Sequence, residues 1–170
     1  AHVEVTVSLN GAPTSEGKDV SAGQQLKTGS VSSAMIEFEN RAMFRAGENT
    51  DLTVLETREP IQIKVIRGWL LNIVKSGTKY QVTTDAAVAA SRGTVFFVQT
   101  DGPGESYICV CKGQITVSTE GAEKQIQSQH HQAVSVLQDK TGNLIRPAPM
   151  QYHTDADVSA LEGSFGIVKN

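Results

Sequence analysis

The two cysteines of the chain, Cys109 and Cys111, are separated by a single residue. On a β-strand, residues two positions apart point to the same face, so the two thiols are expected to lie side by side. Their Cα atoms would be about 6.5–7 Å apart, at or beyond the limit for an unstrained disulfide. The pair can therefore bind a soft metal ion, act in thiol redox chemistry through a strained and reducible disulfide, or pack as small apolar side chains.

Three of the four histidines follow in the last part of the chain. Two thiolates with one or two imidazoles suit Zn²⁺ in a tetrahedral site, or Cu(I). Met150, three residues before His153, could add a thioether ligand for copper, and Asp155 could accept a hydrogen bond from an imidazole N–H. The predicted metal ligands are Cys109, Cys111, His130, His131 and His153.

A weak internal repeat indicates which way the thiols point. Residues 61–70 and 106–115 share the pattern Ile-x-Val-x-(Arg/Lys)-Gly-x-(Leu/Ile), in which a strand turns at a glycine and resumes. Ile108 and Val110 align with the apolar residues of the first copy, whose alternation is typical of a core face. The thiols are therefore expected on the opposite face, away from the main core, where the C-terminal segment could cover them.

The same alternation of side chains between the two faces of a strand can be applied to the histidines. In the predicted strand around Val134 and Val136, even positions face inward. His131 is then expected to point outward with Ala133, and His130 to point inward.

The spacing of apolar residues predicts an all-β fold. Short alternating segments, beginning with Val3, Val5, Val7 and Leu9, recur along the chain and are separated by Gly, Asn and Asp. Such spacing is typical of a sandwich, a barrel or a solenoid, and the internal repeat favours a β-solenoid or β-helix-like, or a sandwich-like, stack of short strands.

The C-terminal region has a different pattern. Two prolines within residues 146–149 predict an extended linker. Thr154 is a suitable N-cap, acidic residues follow in the first turn, and Gly163 is a suitable stop. We expect one short helix over about residues 155–162 that packs on the β domain.

Composition and motifs exclude several classes of function. Net charge is −3, and no cluster of lysine and arginine predicts nucleic-acid binding. No segment is long and apolar enough to predict a membrane span. The sequence contains no nucleophile elbow, phosphate loop, dinucleotide fingerprint or His-Glu-x-x-His pair, so we do not expect an enzyme.

Four segments together resemble the FecR family. Residues 82–96 end in Arg-Gly-Thr-Val-Phe and are similar to its Arg-Gly-Thr-x-Phe signature. Residues 23–29, Gly-Gln-Gln-Leu-Lys-Thr-Gly, resemble its Gly-(Asp/Gln)-x-(Leu/Ile)-x-Thr-Gly step. Residues 63–70 resemble its strand-Gly-Leu segment, and residues 112–117 its closing Gly-x-(Val/Ile)-x-Val. The likeness covers about residues 1–137.

The resemblance implies a periplasmic or extracellular, β-solenoid-like domain of the bacterial envelope. The namesakes of the family relay a signal from an outer-membrane siderophore transporter to a sigma factor. This chain has no cytoplasmic helical segment and no membrane helix, so the sigma-regulating role is not expected to carry over. We expect a FecR-like β domain over residues 1–137 and a C-terminal extension with the helix over residues 138–170.

Three functional hypotheses follow. The first is a non-catalytic binding or signalling module that contacts another envelope protein, or a cell-wall glycan, through an exposed sheet face. The second is a zinc, copper or thiol-redox protein that uses the cysteines and the C-terminal histidines. The third is a glycan-binding domain that uses Trp69, although a tryptophan after Gly68 more often closes the edge of a core. The Arg-Gly-Thr segment at residues 92–94 is expected to form a structural corner in which Arg92 ties down carbonyls. The alternative is that Arg92 holds an anionic ligand.

Overall fold

A computed structural model of the protein describes residues 7–15, 17–139 and 142–165. These residues form fourteen β-strands followed by one short helix. The strands are β1 (Val7–Leu9), β2 (Ala12–Pro13), β3 (Gln25–Thr28), β4 (Ala34–Phe38), β5 (Ala42–Ala46), β6 (Asp51–Glu56), β7 (Ile61–Val74), β8 (Tyr80–Thr83), β9 (Val88–Ser91), β10 (Val95–Thr100), β11 (Glu105–Thr119), β12 (Ala122–Ser128), β13 (Gln132–Asp139) and β14 (Gly142–Ala148), and the helix is α1 (Asp155–Ser164). The predicted all-β class with one C-terminal helix is confirmed. The predicted strand positions Val3 and Val5 lie outside the described residues.

Five strands close into a small barrel. The first half of β7 pairs with β8, β8 pairs with β9, and β9 pairs with the second half of β11. The first half of β11 pairs with β10, which returns to the second half of β7. Among the described strands, β7 and β8 are parallel and all other pairs are antiparallel. The described strands therefore pair as a closed, mainly antiparallel sheet and do not form the stacked parallel rungs of a solenoid.

The two long strands change partners at a glycine. Before Gly68, β7 pairs with β6 and β8, and after it with β5 and β10. β11 changes partners in the same way at Gly113. Gly68 has a φ of 98°, and a Cβ on it would lie 2.5 Å from the Cα of Thr50, so a side chain would collide with backbone. The repeat found in the sequence thus marks β7 and β11, two bent strands that each pair with different neighbours before and after the glycine.

The Arg92–Thr94 segment is a corner, as its sequence predicts. A Cβ on Gly93 would lie 2.6 Å from the Cα of Ser76, so the two chain segments touch at this point. The Thr94 hydroxyl donates to the carbonyl of Gln114 at 2.8 Å, which ties the start of β10 to β11. The motif therefore stabilises the barrel where two strands meet.

Apolar residues form two separate clusters on opposite faces of one sheet. We call this sheet the site sheet; it consists of β5, the second half of β7, β10, the first half of β11, and β13. Its inner face contributes residues such as Phe96 and Val110 to the main core. Its outer face forms a second cluster that includes Phe97, Cys109 and Cys111. The predicted orientation of the thiols, away from the main core, is confirmed.

The helix α1 covers this outer face. Thr154 is its N-cap, as predicted, and it also forms a capping box with Asp157 of the acidic first turn. Val158, Leu161 and Phe165 lie in the second cluster. The helix continues two residues beyond the predicted end and includes Gly163, because burial of Phe165 favours one more turn. None of the helices in the described part of the chain is long and apolar enough to span a membrane.

Residues 142–148 correct the linker prediction. They form β14, which pairs with β13 from Ala133 opposite Ala148 to Asp139 opposite Gly142. Proline is tolerated here because β14 is an edge strand, whose outward N–H positions need no partner. The predicted division between residues 137 and 138 falls within β13, and it stays a prediction.

Candidate functional site

Both cysteines lie on β11 just before its bend. The side chains of Cys109 and Cys111 point from the outer face of the site sheet into the second cluster and are 0% and 4% exposed. Both thiols are free. Their position follows from the alternation of β11, in which Ile108 and Val110 occupy the opposite face.

Two histidines from later parts of the chain meet these thiols. His131 lies in the turn before β13, and its Nδ1 is 3.6 Å from the Cys109 Sγ. His153 lies between β14 and α1, and its Nε2 is 3.2 Å from the Cys111 Sγ. The two sulfur and two nitrogen atoms all lie within 4.8 Å of one another. We call these four residues the Cys2His2 cluster.

Each imidazole of the cluster is oriented by a hydrogen bond on its other nitrogen. The His131 Nε2–H donates to the Asp155 carboxylate at 2.7 Å, the contact expected for Asp155 from the sequence. The His153 Nδ1–H donates to the carbonyl of Gln151 at 2.9 Å. In the neutral form of each imidazole, these bonds favour the proton on the outer nitrogen and leave a lone pair on the nitrogen that faces the sulfur. The Gln151 carbonyl was not predicted, because backbone contacts two residues apart have no sequence signature.

His130 lies outside the cluster. Its side chain is 73% exposed, and its Nε2 is 3.7 Å from the Asp155 carboxylate. The expectation that it points inward is wrong, because β13 begins only at Gln132 and strand parity does not extend into the preceding turn. His131 has a φ of 48° in that turn and still reaches the outer face beside Cys109, as predicted. Met150 is at the surface, with 41% of its area exposed.

The charge state of the cluster is strongly shifted. A hydrogen bond with Cys111, followed by hydrogen bonds with His153 and His131, lowers the pKa of the Cys109 thiol to about 4 despite burial. The hydrogen bond with Cys109 and burial raise the pKa of Cys111 above its ordinary value. Burial lowers the pKa of His131, but hydrogen bonds with Asp155 and Cys109 outweigh it and raise the value overall. Because adjacent thiolates repel each other, ionisation of both needs a cation between them.

Aromatic and aliphatic side chains enclose the cluster. The Phe97 ring stacks on the His153 imidazole at a centroid distance of 4.4 Å. The Tyr107 hydroxyl accepts a hydrogen bond from the backbone N–H of Gln151 at 2.8 Å, which holds the chain just before His153. Leu161 of α1 is 2% exposed and belongs to the same apolar cluster. The site is therefore closed on one side by the sheet and on the other by the C-terminal segment.

Two other predicted features lie away from this cluster. Arg92 and Lys79 line an open groove of about 540 Å³ at the barrel surface. Trp69 packs on the edge of the second cluster, 5.5 Å from the Phe97 ring and directly against Gly47. This is the core-edge position expected for a tryptophan after the glycine bend, and it leaves the indole half-buried.

Comparisons with known structures show a related fold. Two crystal structures from Parabacteroides distasonis ATCC 8503, each of a protein described as a "putative anti-sigma factor", superpose on 82% of this chain with TM-scores of 0.63 and 0.62. Sequence identity is 13% and 12%, and the superposed regions cover 65% and 71% of those proteins. This chain thus spans less than two thirds of the first of them.

Sequence comparison identifies the family. None of the curated proteins matches the chain. Residues 24–116, more than half of the sequence, match the family described as FecR protein. That segment begins just before β3 and ends in the second half of β11, so it contains the bends of both long strands as well as Cys109 and Cys111. The chain belongs to the FecR protein family.

Proposed function

We propose that this chain is an extracytoplasmic signalling module that acts by binding another protein of the cell envelope. Its membership of the FecR family carries the proposal, because FecR domains belong to regulatory systems and are extracytoplasmic. The fold shared with two proteins described as "putative anti-sigma factor" agrees with such a role.

A non-catalytic role is supported by the arrangement of the reactive side chains. The two thiols and the two buried imidazoles face each other, and the outer nitrogens of both imidazoles are hydrogen-bonded. The sheet and α1 enclose them. A catalytic nucleophile or base needs room for a substrate atom beside it, and the burial of both thiols argues against such room.

The edge of β4 is the surface that we assign to the partner. Within the described part of the chain, β4 pairs with β5 alone, so one edge of its backbone has no neighbouring strand. Met35 on this strand is 56% exposed, and Val31 just before it is 71% exposed. Natural edge strands are usually protected by proline or charged residues, as β14 is by Arg146 and Pro147, whereas β4 has no proline and one exposed charged side chain, Glu37. The exposed edge of β4 suits an extended segment of a partner, which would add a strand to the sheet.

The proposed contact can be tested by site-specific photocrosslinking in cells that produce the natural protein. A photoreactive residue at Met35 is expected to capture one defined envelope protein, whereas the same residue at Leu55, which is 44% exposed on β6, is not. Met35→Lys should abolish the crosslinked product made from a probe at Val31, and Leu55→Lys should leave it unchanged. Equal capture from Met35 and Leu55 would refute the β4 contact.

The proposed location needs a separate test. Fractionation of the same cells should recover the protein with periplasmic or surface markers, and a membrane-impermeant protease should reach it after the outer membrane is opened. Recovery with cytoplasmic markers alone would refute the extracytoplasmic role.

A further inference from the structure

We propose that the Cys2His2 cluster is a closed, structural Zn²⁺ site that fastens the C-terminal segment onto the site sheet. The ligands are Cys109, Cys111, His131 and His153. This inference goes beyond the protein-binding role and does not depend on it.

The distances between the ligand atoms fit a tetrahedral zinc ion. Zn–S and Zn–N bonds of about 2.3 and 2.0 Å place ligand sulfur and nitrogen about 3.5 Å apart, and two ligand sulfurs about 3.8 Å apart. Two of the four sulfur–nitrogen distances are 3.6 Å for Cys109 with His131 and 3.2 Å for Cys111 with His153. Every other pair lies within 4.8 Å. Small rotations of the side chains therefore suffice to place all four atoms around one ion.

The outer hydrogen bonds distinguish a metal site from simple packing. Histidines that bind metal ions almost always donate their second N–H to a carboxylate or a backbone carbonyl. His131 donates to Asp155, and His153 donates to the carbonyl of Gln151. Both types of partner are present, and each leaves the lone pair of the inner nitrogen directed at a thiol. Cysteines packed as ordinary apolar side chains would need none of these contacts.

The ligand types select the ion. Thiolate and imidazole ligands favour zinc over magnesium and calcium, which prefer oxygen. Four protein ligands leave no open coordination position, which is the property of a structural site. A disulfide between Cys109 and Cys111 would require distortion of β11, because residues two apart on an extended strand lie at the limit of disulfide geometry.

The ligands come from three separate parts of the chain. Cys109 and Cys111 lie within the barrel, His131 precedes β13, and His153 lies just before α1. A shared ion would therefore join the barrel to the C-terminal segment. Bound zinc is expected to stabilise the docked position of α1, since binding free energy adds to the stability of the state that binds.

Metal analysis of protein purified without a histidine tag tests the site directly. We expect one zinc ion per chain, with two sulfur and two nitrogen ligands by X-ray absorption. Cys109→Ser and His153→Gln should lower the affinity for zinc, whereas His130→Gln, a change at the exposed neighbour, should not. Metal-free protein that takes up no zinc, binding of Cu(I) without zinc, or equal losses in His130→Gln and His153→Gln would each overturn the proposal.

Hydrogen exchange of the unaltered protein provides a readout that does not depend on folding of a variant. At a zinc concentration 100 times the dissociation constant, the amides of α1 should exchange about 100-fold more slowly than in metal-free protein, if α1 opens only after the ion leaves. Amides of β8, which lies outside the site sheet, should respond far less. Exchange of α1 that is unaffected by zinc would contradict a role in fastening this segment.

Discussion

The inner and outer faces of the site sheet are built from the same strands and differ in almost every other respect. On the inner face, Phe96 and Val110 belong to a core of aliphatic and aromatic residues. On the outer face, the adjacent residues Phe97 and Cys109 lie beside the Cys111 thiol and the two imidazoles, under the helix α1. Because side chains alternate along a strand, one backbone supports two environments with separate purposes. The inner face contributes to the main core of the barrel, and the outer face carries the Cys2His2 cluster.

The main core beneath the inner face also contains polar groups, and among the described residues all of its buried polar side-chain atoms have hydrogen-bond partners. The Tyr80 hydroxyl donates to the Asn72 Oδ1 at 2.7 Å, and the Asn72 amide donates to the carbonyl of Phe96 at 3.2 Å. Burial raises the pKa of Tyr80 well above its ordinary value, so this hydroxyl stays protonated. These bonds link β8, β7 and β10 inside the barrel. The polar groups in the main core thus link strands to one another, whereas those on the outer face meet in the Cys2His2 cluster.

The largest expected effect is on the free energy of unfolding, in alanine variants of the adjacent residues Phe96 and Phe97. Phe96→Ala should lower the free energy of unfolding by about 3–5 kcal/mol, because it leaves a cavity in the main core. The protein that stays folded should bind zinc as before. Phe97→Ala should also be destabilising and should in addition weaken zinc binding, since its ring supports His153. Denaturant unfolding and zinc titration measure the two effects, and loss of zinc in both variants would contradict the separation of the faces.

Removal of one hydroxyl tests the polar pair that Tyr80 and Asn72 form in the main core. Tyr80→Phe leaves the Asn72 oxygen without its hydrogen-bond donor in a buried position and should cost about 1–3 kcal/mol of unfolding free energy. A double-mutant cycle with Asn72→Leu should show strong coupling between the two positions. Additive losses would mean that the pair does not act as a unit.

Asp155 tests the outer face without removing a ligand. Asp155→Asn weakens the acceptor for the His131 N–H and should lower zinc affinity by about 10–100-fold. Asp157→Asn is the matched control, because it changes another carboxylate in the first turn of α1 that caps the helix. Competition with a chromogenic chelator measures both affinities. A similar loss of affinity in the two variants would assign the effect to the helix terminus and not to the imidazole.

The smallest expected effect concerns the helix cap. Thr154→Ala removes the hydroxyl that accepts from the Asp157 N–H and should destabilise α1 by about 1 kcal/mol. The main core should be unaffected, so hydrogen exchange should accelerate in α1 and not in β8. A comparable acceleration in both elements would show that the two regions unfold together.

Local patterns predicted much of this molecule. Alternation predicted the strands, the glycine repeat predicted both bends, and parity predicted that Cys109 and Cys111 point away from the main core. Thr154 and the acidic first turn predicted the helix. Each of these features depends on residues close together in the sequence, where the geometry of one element is sufficient.

Features that depend on distant contacts were missed. Closure of the barrel depends on the pairing of β10 with β7 and of β9 with β11, which are not consecutive strands, and a single sequence does not reveal such pairing. Residues 146–149, which include the end of β14, were predicted as a linker, because the prolines at 147 and 149 outweigh the strand pattern until the partner β13 is known. The predicted orientation of His130 was wrong for a related reason, because side chains alternate between faces only inside a strand. The convergence of His131 and His153 on the thiols was expected in outline, but the Gln151 carbonyl was not.

The position of β10 between the two long strands has a consequence for how accurately the chain must assemble. β10 is hydrogen-bonded along one side to β7 and along the other to β11. A slip of β10 by one residue would exchange Phe96 and Phe97, placing the wrong ring in each environment. A shifted register would have to be matched by β7 and β11 at the same time. The position of β10 between these two strands therefore disfavours misaligned pairing.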